Sequence, residues 1–86
     1  MDGYKVVSLD DKRIGRISGV VGDFYIVERG ALWKSRLPLP KRYARVDPGA
    51  RSVRAGLSKQ VLCAAPKVRR DGTLDEEAAT SFFGLT

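Results

Sequence analysis

The chain has 86 residues, with 16 lysines and arginines against 10 aspartates and glutamates, and a formal net charge of +6. This length fits one domain, and 43% hydrophobic residues are enough for its core. The absence of histidine and the single cysteine exclude a histidine-based catalytic triad, a zinc site and an internal disulfide. No apolar run is long enough to span a membrane and the start of the chain lacks a signal-peptide pattern, so we expect a cytoplasmic protein without metal or cofactor.

Short runs of β-branched and aromatic residues, separated by turn residues, predict a series of strands. Gly22 and Asp23 favour a two-residue hairpin turn, and Pro48 and Gly49 favour a type II turn. The glycines at 15 and 19 indicate a bulge or a bend. The predicted strands are residues 4–9, 14–21, 24–29, 32–37, 43–46 and 51–55.

The pattern changes to a helical one after residue 56. Ser58 is placed to cap a short helix that Pro66 ends. A second helix is predicted over residues 73–83, with Thr73 and Glu76 as a capping box. We therefore predict an all-β domain over residues 1–66. Residues 67–86 then form a connector and a short C-terminal helix that packs on this domain or on a partner subunit.

Five short segments within residues 4–66 form a distinctive pattern: VVSLD at 6–10, IGRI at 14–17, FYIV at 24–27, LPLP at 37–40 and YARVD at 43–47. This pattern resembles the PRC-barrel family. The resemblance implies a small, strongly bent antiparallel β-barrel of about six strands that binds partners and has no catalytic residues. Members of the family include the cytoplasmic domain of the photosynthetic reaction-centre H subunit and the C-terminal domain of ribosome maturation factors, but their companion segments are missing from these 86 residues.

The charge is concentrated in residues 29–54, which hold eight basic side chains against the single acid Asp47, a net of +7. Cations interleaved with aromatic residues are typical of nucleic-acid surfaces, although a solvated face, or a site for an acidic protein or an anionic membrane surface, has the same composition. Strand alternation places Trp33 toward the core with Leu37 and leaves Tyr43 beside Arg45. The predicted basic face comprises Lys34, Arg36, Lys41, Arg42, Tyr43, Arg45, Arg51 and Arg54.

The remaining candidates favour structural roles. Asp10 and Asp11 fit a turn, the acids at 75–77 fit a helix N-terminus, and Cys63 fits an apolar run, so we do not expect an enzyme. Phe82 and Phe83 cannot both face one side of a helix, which suggests self-association, most simply as a two-fold dimer.

Two functions stay open on these grounds. The first is a binding or assembly module whose basic face meets an acidic protein partner and which self-associates as a homodimer. The alternative is an RNA- or ribosome-associated factor that contacts phosphates through the same face.

Overall fold

A six-stranded mixed sheet makes up most of the protein. The structure is a computed structural model and describes residues 2–30, 32 and 34–85. The sheet has the strand order β4-β3-β2-β1-β6-β5, in which β1 and β6 are parallel and the other neighbours antiparallel. The strands are β1 (Lys5–Val7), β2 (Arg13–Val21), β3 (Phe24–Arg29), β4 (Ser35–Pro40), β5 (Ala44–Asp47) and β6 (Ser52–Ala55).

Two short helices follow the sheet, so the expected mostly-β fold with a short C-terminal helix is confirmed. The first, α1, spans Lys59–Ala64, and its N-terminal cap is Ser58 as predicted. The second, α2, spans Glu76–Phe83 and ends at Gly84, which has a φ of +65°. The predicted capping box is wrong: Asp75 caps α2 by accepting the N–H of Ala78, while Thr73 bonds to Asp71. None of the described helices is long and apolar enough to cross a membrane.

The predicted closed antiparallel barrel is wrong, because β1 and β6 run parallel and the sheet stays open between β4 and β5. Pro38 and Pro40 in β4 have no N–H to offer a further strand. The carbonyl of Arg36 on the same strand already accepts the N–H of Val68, at 2.9 Å. Within residues 2–30, 32 and 34–85, no ladder therefore joins β4 to β5.

The turns confirm some of the local predictions and correct one of them. Gly22, with a φ of +55°, and Asp23 form the predicted two-residue hairpin between β2 and β3. The ladder between these strands is irregular at Ser18, next to Gly19, where a bulge was expected. The type II turn at Pro48 and Gly49 is wrong: the residue with positive φ is Arg51, at +52°.

The core has two parts because the sheet is covered on both faces. Its inner face packs against Leu62 of α1. On the outer face, Phe24 and Ile26 pack against Leu74 and Ala79, so the segment that ends in α2 covers that end of β3. Phe83 packs against both clusters. The inner cluster comprises Val6, Ile14, Ile17, Val27, Leu37, Leu39, Val53, Ala55 and Leu62.

Candidate functional site

Cross-strand pairing gathers the cations on the outer face of the sheet into two rows, since paired residues share a face. The ladder between β1 and β2 is irregular, and it pairs Val7 with Arg13 and Lys5 with Arg16. This irregularity brings Arg13 and Arg16, three residues apart, to the same face. The first row is Lys5, Arg16, Glu28 and Arg36, and the second is Arg13, Val7, Arg54 and Arg45.

At the β3–β4 end, one acid of the chain pairs with two of the cations. The Lys34 Nζ lies 3.3 Å from one carboxylate oxygen of Glu28, and the Arg36 Nε lies 3.3 Å from the other. The hydrogen bond from Lys34, and then the charges of both cations, hold the pKa of Glu28 below its ordinary value. Two members of the predicted basic face are thus paired internally.

At the β5–β6 end, two arginines stand directly opposite each other. Arg45 pairs with Arg54 across the strands. Arg54 is held in place, because its Nη1 lies 2.7 Å from a carboxylate oxygen of Asp11 and 3.2 Å from the carbonyl oxygen of Ser8. Arg45 is exposed and forms no ion pair with any described residue. Like charges in such a pair repel each other, and Asp11 pairs with only one of the two arginines.

A groove of about 380 Å³ lies beside this arginine pair. It combines charge with apolar surface, since Leu9 on its rim is 61% exposed and Tyr43 is half-buried. An anion bound here would contact guanidinium groups and an apolar wall together. We name it the arginine groove; its lining is Leu9, Arg42, Tyr43, Arg45, Arg54, Ala55 and Gly56.

The other members of the predicted basic face differ in their distance from this groove. Arg42 lines it, while Lys41, in the same 3-10 turn Lys41–Tyr43 between β4 and β5, does not, and the Lys41 Nζ stands 5.8 Å from the centre of the Tyr25 ring. Arg51 occupies the turn between β5 and β6, at the end of these strands away from the groove. The structure therefore divides the predicted face into a part at β3–β4 that shares the carboxylate of Glu28 and a more open part at β5–β6. The prediction for Trp33 lies outside the described residues.

Sequence reasoning missed three cations of the outer face, Lys5, Arg13 and Arg16. They lie outside the charge-rich segment of residues 29–54. Alternation with buried Val6 places Lys5 on the outer face. The three-residue spacing of Arg13 and Arg16 concealed their common face, which depends on the ladder irregularity at Val6 and Val7.

The two phenylalanines of α2 and the single cysteine lie apart from this groove. Phe83 packs inward, with its ring centre 6.4 Å from that of Phe24, while Phe82 is 42% exposed and meets Phe83 edge-on. Cys63 is half-buried beside the inner cluster and accepts a hydrogen bond from the Arg29 guanidinium. Neither the phenylalanines nor the cysteine line the arginine groove.

Among the residues that the structure describes, no three or more acidic or cysteine side chains come together as a metal site would require. No model of a known protein family matches this chain, and no curated protein matches it.

Proposed function

We propose that the protein is a non-catalytic binding module whose arginine groove holds an acidic segment of a protein partner. The observation that carries this proposal is the pairing of Arg45 with Arg54 beside exposed Leu9. A carboxylate placed between the two guanidinium groups relieves their repulsion and forms charge-assisted hydrogen bonds. Asp11 pairs with Arg54, whereas Arg45 forms no ion pair with any described residue, so the Arg45 guanidinium is open to a ligand.

The apolar part of the groove favours a protein over a nucleic acid as the ligand. Leu9, which is 61% exposed, offers apolar surface to an aliphatic side chain next to the acid. Tyr43 is half-buried and Lys41 lies over the Tyr25 ring, so these two rings are poorly placed for stacking bases. A segment in which acidic and apolar side chains are close together suits this lining.

RNA binding is the second candidate, and a different observation favours it. Lys5, Arg13 and Arg16 extend the positive charge over neighbouring strands, which stand about 4.8 Å apart. Such a spread of cations suits a phosphate backbone and gives strongly salt-dependent binding.

We also propose, on the sequence resemblance, that the chain is related to the PRC-barrel domains. The support is that the similar segments at residues 14–17, 24–27 and 37–40 all lie within consecutive strands β2, β3 and β4. This relationship agrees with a binding role.

The test measures fluorescence anisotropy with two labelled probes, a 12-residue peptide of glutamate and leucine and a 12-nucleotide oligouridine RNA. We expect the peptide to bind more tightly, and Arg42→Ala to weaken it about tenfold, as for loss of one charge-assisted hydrogen bond. Arg70→Ala is the matched control, because Arg70 is exposed and lies outside the groove. Tighter RNA binding that depends on Lys5 and Arg16 would support RNA binding as the function and contradict the acidic protein partner. Equal losses from Arg42→Ala and Arg70→Ala would refute a defined groove.

A further inference from the structure

The outer edge of β5 offers backbone hydrogen-bonding groups to another strand. The N–H of Gly56 donates to the carbonyl of Tyr43, which makes these two opposite residues a hydrogen-bonded pair. Hydrogen-bonded pairs alternate along an antiparallel ladder, so Arg45 is also bonded to β6 and Val46 is not. The N–H and C=O of Val46 therefore face away from the sheet. Its side chain is 37% exposed, and no backbone bond to it comes from other described loops or turns.

The neighbours of Val46 limit what this edge can accept. The N–H of Ala44 already donates to the carbonyl of Lys41, and Pro48 has no N–H. A second strand can thus form a reciprocal pair of backbone hydrogen bonds only at Val46. On the outer face, this position is flanked by Arg45 on one side and Asp47 on the other.

We propose that the edge of β5 binds β5 of a second copy of this chain, antiparallel and with the two-fold axis at Val46. In that register Val46 pairs with Val46 of the other copy through two backbone hydrogen bonds. Arg45 of each copy stands opposite Asp47 of the other, which places two opposite-charge pairs on the outer face. Such pairs stabilise neighbouring strands, and a reciprocal contact of this kind closes as a dimer.

Repulsion between like charges disfavours the two neighbouring two-fold registers. An axis at Arg45 sets the two copies of Arg45 against each other. An axis at Asp47 opposes two carboxylates and brings Pro48 to a position that needs an N–H donor. Like charges directly opposite each other destabilise a strand pair, so the Val46 register is favoured over both neighbours.

This inference goes beyond the proposed function, although the two share Arg45, which lines the groove and pairs with Asp47 of the other copy. Arg42 and Arg54 do not enter the contact between the copies. The contact is short, since β5 has four residues. It is therefore a reversible association that depends on protein concentration.

The experiment is sedimentation equilibrium over a range of concentrations with two charge-reversed variants, Arg45→Glu and Asp47→Arg. We expect the wild-type mass to rise from 9.5 kDa toward twice that value. Each variant alone stays monomeric because it opposes like charges in the dimer. An equimolar mixture of the two variants dimerises again, since one cross-strand pair becomes Glu with Arg and the other stays Asp with Arg.

Three further variants test whether the dimer forms through β5. Asp47 also accepts the N–H of Ala50, at 3.2 Å, so Asp47→Asn keeps this turn while removing the charge, and we expect it to weaken the dimer. Phe82→Ala tests the other self-association surface and is expected to leave the dimer unchanged. Arg42→Ala should also leave it unchanged while weakening the peptide probe, which distinguishes failure of this inference from failure of the proposed function. A wild-type mass that stays at 9.5 kDa at millimolar concentration, or a mixture that remains monomeric, would overturn the inference.

Discussion

The two ends of the outer sheet face differ in how many of their charged, apolar and backbone groups have a partner within the chain. At the β3–β4 end, Phe24 and Ile26 are covered by the segment that ends in α2. The cations there are paired with Glu28. The exposed edge of β4 carries prolines and a carbonyl that already binds Val68. The strand edge, the apolar side chains and these two cations therefore all have contacts within the chain.

The β5–β6 end leaves charge, apolar surface and backbone without comparable internal contacts. Arg45 faces another arginine, Leu9 is 61% exposed, and the N–H and C=O of Val46 point outward. The turn beside them holds Arg51 at a φ of +52°, which is unfavourable for a residue with a side chain. Groups that cost free energy in the isolated chain are expected where binding relieves that cost. The comparison thus locates the proposed partners at one end of the sheet.

The largest expected effect on the free energy of unfolding concerns the β3–β4 end, which the segment that ends in α2 covers. Phe83→Ala removes the ring that packs against both core clusters, so we expect the free energy of unfolding to fall by about 3 kcal/mol. Phe82→Ala removes an exposed ring that mainly contacts Phe83, and we expect a loss of about 1 kcal/mol or less. Urea denaturation followed by circular dichroism measures both. Equal losses for the two variants would show that α2 does not stabilise this end as described.

Much of the fold follows from local sequence, because turns and alternation act over a few residues. Gly22 marks its hairpin correctly, and Ser58 marks the start of α1. The open edge was not predictable in the same way. It depends on the long-range bond from Val68 to β4 and on the parallel pairing of β1 with β6. Those contacts join distant parts of the chain and leave no short-range pattern.

The candidate site was predictable only in part. The count of charges identified Arg42 and Arg45, but it also included Lys34 and Arg36, because a linear count does not show that Glu28 reaches both. The apolar side of the groove was missed, since the sequence pattern predicts Leu9 in a strand. Leu9 instead belongs to the turn after β1, where its N–H donates to the carbonyl of Leu57.

A smaller effect is expected at the turn of the β5–β6 end. Arg51→Gly relieves the left-handed backbone conformation, and we expect the free energy of unfolding to rise by about 1 kcal/mol. Arg51→Ala is the matched control, because it removes the same charge and keeps the strained φ. Thermal unfolding of both variants separates backbone strain from charge. A gain for alanine as large as for glycine would mean that charge repulsion, and not strain, destabilises this turn.

The smallest expected effect on stability comes from Glu28→Gln, which makes the β3–β4 end resemble the β5–β6 end in charge. The folded-state pKa of Glu28 is lowered by the hydrogen bond from Lys34 and by the charges of Lys34 and Arg36. A carboxylate with a lowered pKa contributes stability above its unfolded-state pKa, and this contribution is lost as the pH falls through the folded-state pKa.

The wild type should therefore be more stable than Glu28→Gln at pH 7. The difference should shrink as the solution is acidified, because the protonated Glu28 is then as neutral as glutamine. Urea midpoints for both proteins between pH 7 and pH 2 measure this convergence. A difference that stays constant over that range would mean that Glu28 is not held by its cations, and the contrast in ion pairing between the two ends of the outer face would then fail.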